Sequence, residues 1–252
     1  MLPLRTGGSQ PPLFCVHPAS GLSWQFAGLK KYVPESVPLY GLQSPLFATG
    51  RLPETIAELA AEYADSVQRV APAGPVRLLG WSFGGSVALL IAQELRRRGR
   101  EVGFVGMLDA RTDTAEGVEF DATAVLGSLL REMGFPVDAG TRLTVPDAVA
   151  LVRDSGDAIA MLDDGQIAQV IENYVAAERF TADADYGRYD GDVFFVDAAI
   201  LEMDLTGVAS QQWQDHVGGR LQVVALDCRH SELMDAGTLE RLGPLIADEL
   251  VR

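Results

Sequence analysis

Residues 78–90 read LLGWSFGGSVALL: an apolar run, a serine at position 82 set among glycines at 80, 84 and 85, then, from Ser86, a second apolar run. VRLLGW (76–81) has the composition of a fully buried strand, and SVALLIAQELRRRG (86–99) has helical spacing. A strand that passes straight into a helix must fold back sharply at the residue between them. That residue is Ser82, and the neighbouring glycines leave room for the close backbone approach such a turn demands. A buried hydroxyl without a partner costs free energy, so the rest of the chain decides what this serine is for.

Outward from the turn, PLFCVH (12–17) and VPLYGL (37–42) read as strands flanking a helical segment near 24–31. Pro53 opens a helix with Ile56, Leu59, Ala60 and Tyr63 on one face. EVGFVGMLDA (101–110), DVFFVDA (192–198) and RLQVVALD (220–227) read as further strands, and Leu239, Leu242, Ile246 and Leu250 mark a closing helix. Strand and helix in alternation predict an α/β domain with a mostly parallel sheet covered on both faces by helices.

The rhythm stops over 111–190, where three helical patterns follow one another: Val125, Leu126, Leu129, Leu130 and Met133; a weaker one after Pro146; and Ile167, Val170, Ile171, Tyr174 and Val175. This stretch carries sixteen Asp and Glu against six Arg and no Lys, most of the negative charge of the chain. The expectation is one domain over 1–252 with a helical insertion at 111–190. Residues 1–10, rich in glycine and followed by Pro11 and Pro12, read as a linker remnant.

Over 252 residues, 48% apolar and 22% charged composition predicts a folded globular domain. A net charge of −15 argues against a nucleic-acid partner, which needs a basic footprint. The one basic run, Arg96, Arg97, Arg98 and Arg100, falls at a helix end, where cations complement the dipole and Gly99 can supply the terminating left-handed residue. The chain shows no apolar run of membrane-spanning length and no secretory pattern in MLPLRTGGSQPP, so no membrane association and a cytoplasmic location are expected. Cys15 and Cys228 are expected as free thiols, and nothing has metal-ligand spacing.

Gly80-Trp81-Ser82-Phe83-Gly84 matches G-x-S-x-G in the strand-then-helix context that gives the motif meaning. The turn lifts the Ser82 hydroxyl out of the sheet and leaves the Phe83 N–H at a helix N-terminus, where an oxyanion could be held. The plainer alternative is a turn serine that caps a helix. A serine nucleophile needs a histidine base and an acid to orient it. Of three histidines, His230 lies in a polar loop after a strand, His17 ends the first strand, and His216 sits in a polar helix; position and chain order select His230. Asp109 and Asp197 both follow strands, both give the order Ser, Asp, His, and the residues alone leave the choice between them open.

The segments LPLRTGG, LFCVHPASG, YGLQSP, GWSFGGSVALLIAQEL, LDA and RHSELM together resemble the terminal (type I) thioesterase domains of nonribosomal peptide synthetases. The resemblance implies an α/β-hydrolase fold, a helical lid at 111–190, Asp109 as the acid with Asp197 as the alternative, and a second oxyanion donor at the Ala19 backbone N–H. His17 and Pro18 would shape that loop. It also implies release of an acyl or peptidyl chain from the phosphopantetheine thioester of an upstream peptidyl carrier domain, by macrocyclisation or hydrolysis, with no cofactor or metal of the domain's own. Editing thioesterases usually carry GHSMG; Trp81 and Phe83 here favour the terminal type. The competing readings are a stand-alone editing (type II) thioesterase, a small-molecule carboxylesterase, and a non-catalytic hydrolase-fold binding module.

Overall fold

The computed structural model describes residues 1–112, 121–132, 135–155, 158–200 and 208–251. Seven strands form one sheet in the order β1-β3-β2-β4-β5-β6-β7. They are β1 (Leu2–Arg5), β2 (Leu13–Val16), β3 (Leu39–Leu42), β4 (Val76–Trp81), β5 (Val102–Leu108), β6 (Val193–Ala198) and β7 (Leu221–Leu226). Every neighbouring pair is parallel except β1 with β3. In the middle of the sheet Cys15 lies opposite Leu79 and Gly80 opposite Met107. All four residues of β2 are buried, as expected of a strand covered on both faces.

The helices are α1 (Leu46–Thr49), α2 (Ile56–Val70), α3 (Phe83–Arg97), α4 (Ala122–Glu132), α5 (Val145–Arg153), α6 (Asp164–Ala182) and α7 (Ala236–Val251). On one face of the sheet α2 and α3 bury Leu59, Tyr63, Val87 and Ile91; on the other, α7 and a 3-10 helix, Trp24–Lys31, bury Leu242, Ile246, Phe26 and Leu29. Helix α2 starts at Ile56 rather than at Pro53, because the Thr55 side chain accepts the Glu58 N–H at 3.1 Å and caps it. Helix α3 stops where expected: Gly99 has φ 76° and donates its N–H to Arg96 at 2.8 Å. Arg98 then bridges α3 to α2 through Glu94, Asp65 and Gln68.

Residues 2–5 correct the linker reading of the N-terminus. Leu2, Pro3 and Arg5 pair with Gly41, Tyr40 and Leu39, and the Arg5 guanidinium donates to the carbonyls of Val33, Pro34 and Val37. A four-residue edge strand containing a proline is too short to show a period of two. Its guanidinium anchors reach residues 28 to 32 positions away, which local reading does not see.

The insertion holds α4, α5 and α6, the last two opened by capping boxes at Thr144/Asp147 and Asp163/Gln166. Their apolar faces close largely on one another: Leu126, Leu130, Ala148, Val152, Ile167 and Ile171 form a separate small core. Met133, counted in the first helical pattern, lies outside the described residues. The far end of α6 joins the main core instead, through Ala176, Ala177 and Phe180. Among the described residues no helix is long and apolar enough to cross a membrane.

Candidate active site

The chain leaves β2 toward β3 on one side of the sheet and leaves β4 toward β5 on the other, although β2 and β4 are neighbours. Such a reversal opens a crevice beyond the carboxyl ends of the two strands. The loop 17–21 and the turn at Ser82 are the two segments that border it. Their approach is close: a Cβ placed on Gly84 would lie 2.4 Å from the carbonyl oxygens of both Val16 and His17. One on Gly80 would run into the Gly84 carbonyl. Only glycine at these positions lets the first turn of α3 seat against the end of β2.

Ser82 itself has φ 57° and ψ −131°, a conformation side chains avoid. It is held by two backbone bonds: its N–H donates to Leu108 at 2.8 Å and its carbonyl accepts from Gly85 at 2.8 Å. Phe83 begins α3, so its N–H is among those a helix leaves without an intrahelical acceptor.

Of the two aspartates, Asp109 meets His230: the imidazole Nδ1–H donates to Asp109 Oδ2 at 2.7 Å, and Asp109 Oδ1 accepts the Ala198 N–H at 3.1 Å. Asp109 is buried and His230 about a quarter exposed, at 24% of its side chain. Because a carboxylate can only accept, Nδ1 carries a proton, and Nε2 of the neutral ring is left as a proton acceptor. The Trp81 ring lies 5.7 Å from the imidazole, so the residue before the serine flanks the histidine. Asp197 is equally buried but spends both oxygens on Ser210, accepting its N–H at 2.9 Å and its hydroxyl at 2.6 Å. His216 lies apart, donating to or accepting nothing from these groups; its Nδ1 bonds the Gly187 carbonyl at 2.7 Å.

His17 is buried in the loop after β2. Its Nδ1 donates to the Pro18 carbonyl at 2.6 Å and its Nε2 accepts the Tyr63 hydroxyl proton at 2.6 Å. Burial pushes the ring down from 6.5 to about 4, so it is neutral at ordinary pH and braces the turn that carries Ala19. Tyr63 is legible in the sequence only as an apolar-face position of α2; its hydroxyl reaches a residue 46 positions away.

Helix α6 packs against the first residue of α3 and against the 17–21 loop. Phe180 stacks on Phe83 with ring centroids 6.2 Å apart, and a Cβ on Gly21 would collide with the Asn173 side chain. A cavity of about 660 Å³ lies between α4, α6 and the 50–54 loop, lined by Leu52, Leu126, Val175 and Ala176 with Arg51 and Arg179. Ala176 and Arg179, which line this cavity, lie within a turn of Phe180 on α6, the residue that stacks on Phe83. Among the described residues, no cluster of three or more His, Cys, Asp or Glu could hold a metal ion. Cys15 and Cys228 are both free and buried.

A family model described as Thioesterase domain matches residues 11–246. The chain is 34% identical over 255 residues to a dimodular nonribosomal peptide synthase of Bacillus subtilis, covering 99% of this chain and 11% of the relative. It is 30% identical over 255 residues to enterobactin synthase component F of Escherichia coli, covering 100% of this chain and 18% of the relative. The chain therefore spans less than a fifth of the length of these relatives. Among solved structures it superposes with a TM-score of 0.70 and 26% identity on the NocB thioesterase domain in covalent complex with a fluorophosphonate nocardicin G analogue, over 95% of each chain. The surfactin thioesterase domain SrfTE shares the fold, with a TM-score of 0.70 and 17% identity over 97% of this chain and 93% of that one. The serine turn at the switch point of a mostly parallel sheet and a family match over nearly the whole length lead to one assignment: this chain belongs to the thioesterase domain family, on the α/β-hydrolase fold.

Proposed function

We propose that the domain releases an acyl or peptidyl chain from the phosphopantetheine thioester of a carrier domain in a nonribosomal peptide synthetase, through an ester to Ser82. The observation that carries this reading is the 2.7 Å bond from His230 Nδ1 to Asp109, with Trp81, the residue before the strained Ser82, 5.7 Å from the same imidazole. Nε2 of His230 takes the Ser82 proton as Oγ attacks the thioester carbonyl carbon. The Phe83 and Ala19 N–H groups hold the resulting oxyanion; loss of one such donor costs about 2.7–4 kcal/mol of barrier. The C–S bond breaks and the thiolate leaves with the proton from His230 as free thiol. In the second half His230 deprotonates water, or a hydroxyl or amine of the bound chain itself. Attack on the Ser82 ester then gives a linear acid or a macrocycle and returns the proton to Ser82. Asp109 orients the imidazole and stabilises its charged form throughout.

The insertion acts as the lid of this site. Phe180 supplies apolar wall against Phe83, which favours exclusion of water from the acyl-enzyme. The likeness to a nonribosomal peptide synthase supports delivery of the substrate by a carrier domain of such a synthetase.

Incubation with a synthetic peptidyl thioester, followed by mass spectrometry, tests the reading: free thiol with either linear acid or ring is expected, and both are lost in Ser82→Ala. A fluorophosphonate is expected to label Ser82 stoichiometrically. Absence of both turnover and label would instead favour a binding module without catalysis.

A further inference from the structure

We propose that Asp197 is a positioning residue for Asp109, acting through the 3-10 helix Ala209–His216; the proposal rests on the roles given above to Ser82, His230 and Asp109. Both oxygens of the buried Asp197 carboxylate are taken by the two donors of Ser210, near the start of that helix. A buried carboxylate is costly unless its lone pairs are met, so this double bond pins the helix to the end of β6.

The same helix grips the chain just past the acid. Trp213, wholly buried, donates Nε1–H to the Ala110 carbonyl at 2.8 Å, and Gln212 Oε1 accepts the Thr112 N–H at 2.9 Å. Ala110 directly follows Asp109, whose φ of 46° is left-handed. A non-glycine residue holds such a conformation only where its surroundings over-determine it. On the other side, Asp109 Oδ1 accepts the N–H of Ala198, the residue next to Asp197. The bonds close a ring: Asp197 to Ser210, along the helix to Trp213, to Ala110, through Asp109 to Ala198 and back. Releasing Ser210 opens the ring, lets Asp109 relax toward ordinary φ, and swings Oδ2 away from His230.

The readout is the rate constant for fluorophosphonate labelling of Ser82, together with kcat and KM on a peptidyl thioester. Asparagine could still accept the Ser210 N–H and donate to its hydroxyl oxygen, so the variant used is Asp197→Leu, which keeps the length and removes both acceptors. It is expected to slow labelling and kcat by roughly 10- to 100-fold with KM nearly unchanged, the size of effect that a small misplacement produces. The decisive comparison is a double-mutant cycle with Asp109→Asn. With the carboxylate behind His230 already gone, Asp197→Leu is expected to cost less than about twofold. Trp213→Phe keeps an aromatic ring while removing the donor to Ala110 together with part of the buried indole; it is expected to show the same loss alone and the same collapse in the Asp109→Asn background, and it carries the test should Asp197→Leu fail to fold. Equal fold-losses in both backgrounds, or wild-type labelling in the single variants, would overturn the role of Asp197. Failure of the wild-type protein itself to label at Ser82 would overturn the underlying reading, a separate and distinguishable result.

Discussion

Ser82 and Asp109 are the two non-glycine residues with positive φ among those described, and one hydrogen bond separates them: the Ser82 N–H donates to Leu108, the residue before Asp109, at 2.8 Å. Backbone strain therefore collects at the ends of two adjacent strands, β4 and β5, where the proposed nucleophile and acid stand. Strain of this kind persists because the surrounding sheet over-determines it.

Relieving that strain is expected to stabilise the fold while removing the chemistry. Ser82→Gly frees a position that costs a side chain about 1–3 kcal/mol, against about 0.5–1 kcal/mol of added chain entropy in the unfolded state. A net gain of about 1 kcal/mol raises the melting temperature by about 2–4 °C for a chain of this size. Calorimetry of the wild type and Ser82→Gly checks it, with fluorophosphonate labelling absent in the variant.

Gly84→Ala is expected to do the reverse of what helix propensity suggests. Alanine favours a helix by about 1 kcal/mol, but the added Cβ meets two backbone carbonyls at 2.4 Å and the strand end cannot yield cheaply. A loss of about 1–3 kcal/mol is expected, with slower labelling of Ser82, as α3 is pushed from the 17–21 loop. Gly237→Ala in α7, where the Cβ enters open space, is the control and is expected to be neutral or stabilising by up to about 1 kcal/mol.

The buried His17 makes stability depend on acid. Its folded value of about 4 lies below the ordinary 6.5, so between those values the unfolded chain takes up a proton that the folded chain refuses. The contribution is complete above about pH 6.5 and lost as pH falls toward 4, amounting to about 3 kcal/mol. Denaturant titrations of wild type and His17→Gln are expected to show the wild-type advantage shrinking by that order between pH 7 and 4. An advantage constant across the window would count against the argument.

Arg5 is expected to hold the edge strand. Its guanidinium meets the carbonyls of Val33, Pro34 and Val37, and Arg5→Ala leaves these part-buried acceptors without their charged donor. A loss of about 1–3 kcal/mol is expected. Faster amide exchange confined to β1 and β3 would locate it.

The alternation of strand and helix was legible because burial on both faces of a parallel sheet leaves uninterrupted apolar runs such as LLGW and FFV, and amphipathic spacing marks the helices between them. The serine turn was legible for a steric reason confined to five residues. The edge strand Leu2–Arg5 was not, since four residues carry no period and its partners lie more than thirty positions away. Nor did apolar spacing reveal that α4, α5 and α6 bury most of their apolar faces against one another.

The aspartates mark the boundary most clearly. Leu108 and Val196 lie opposite each other in β5 and β6, so Asp109 and Asp197 emerge side by side from adjacent strands. By itself the sequence determined the six parallel strands, the sharp turn at Ser82 and His230 as the candidate base, because these follow from two-faced burial, local sterics and the count of candidates. Which carboxylate meets the imidazole depended on where the loop of His230 and the helix of Ser210 dock, 121 and 13 residues from the aspartates they bond. Side-chain direction at two neighbouring strand ends is set by those long-range contacts, and only the tertiary structure contains them.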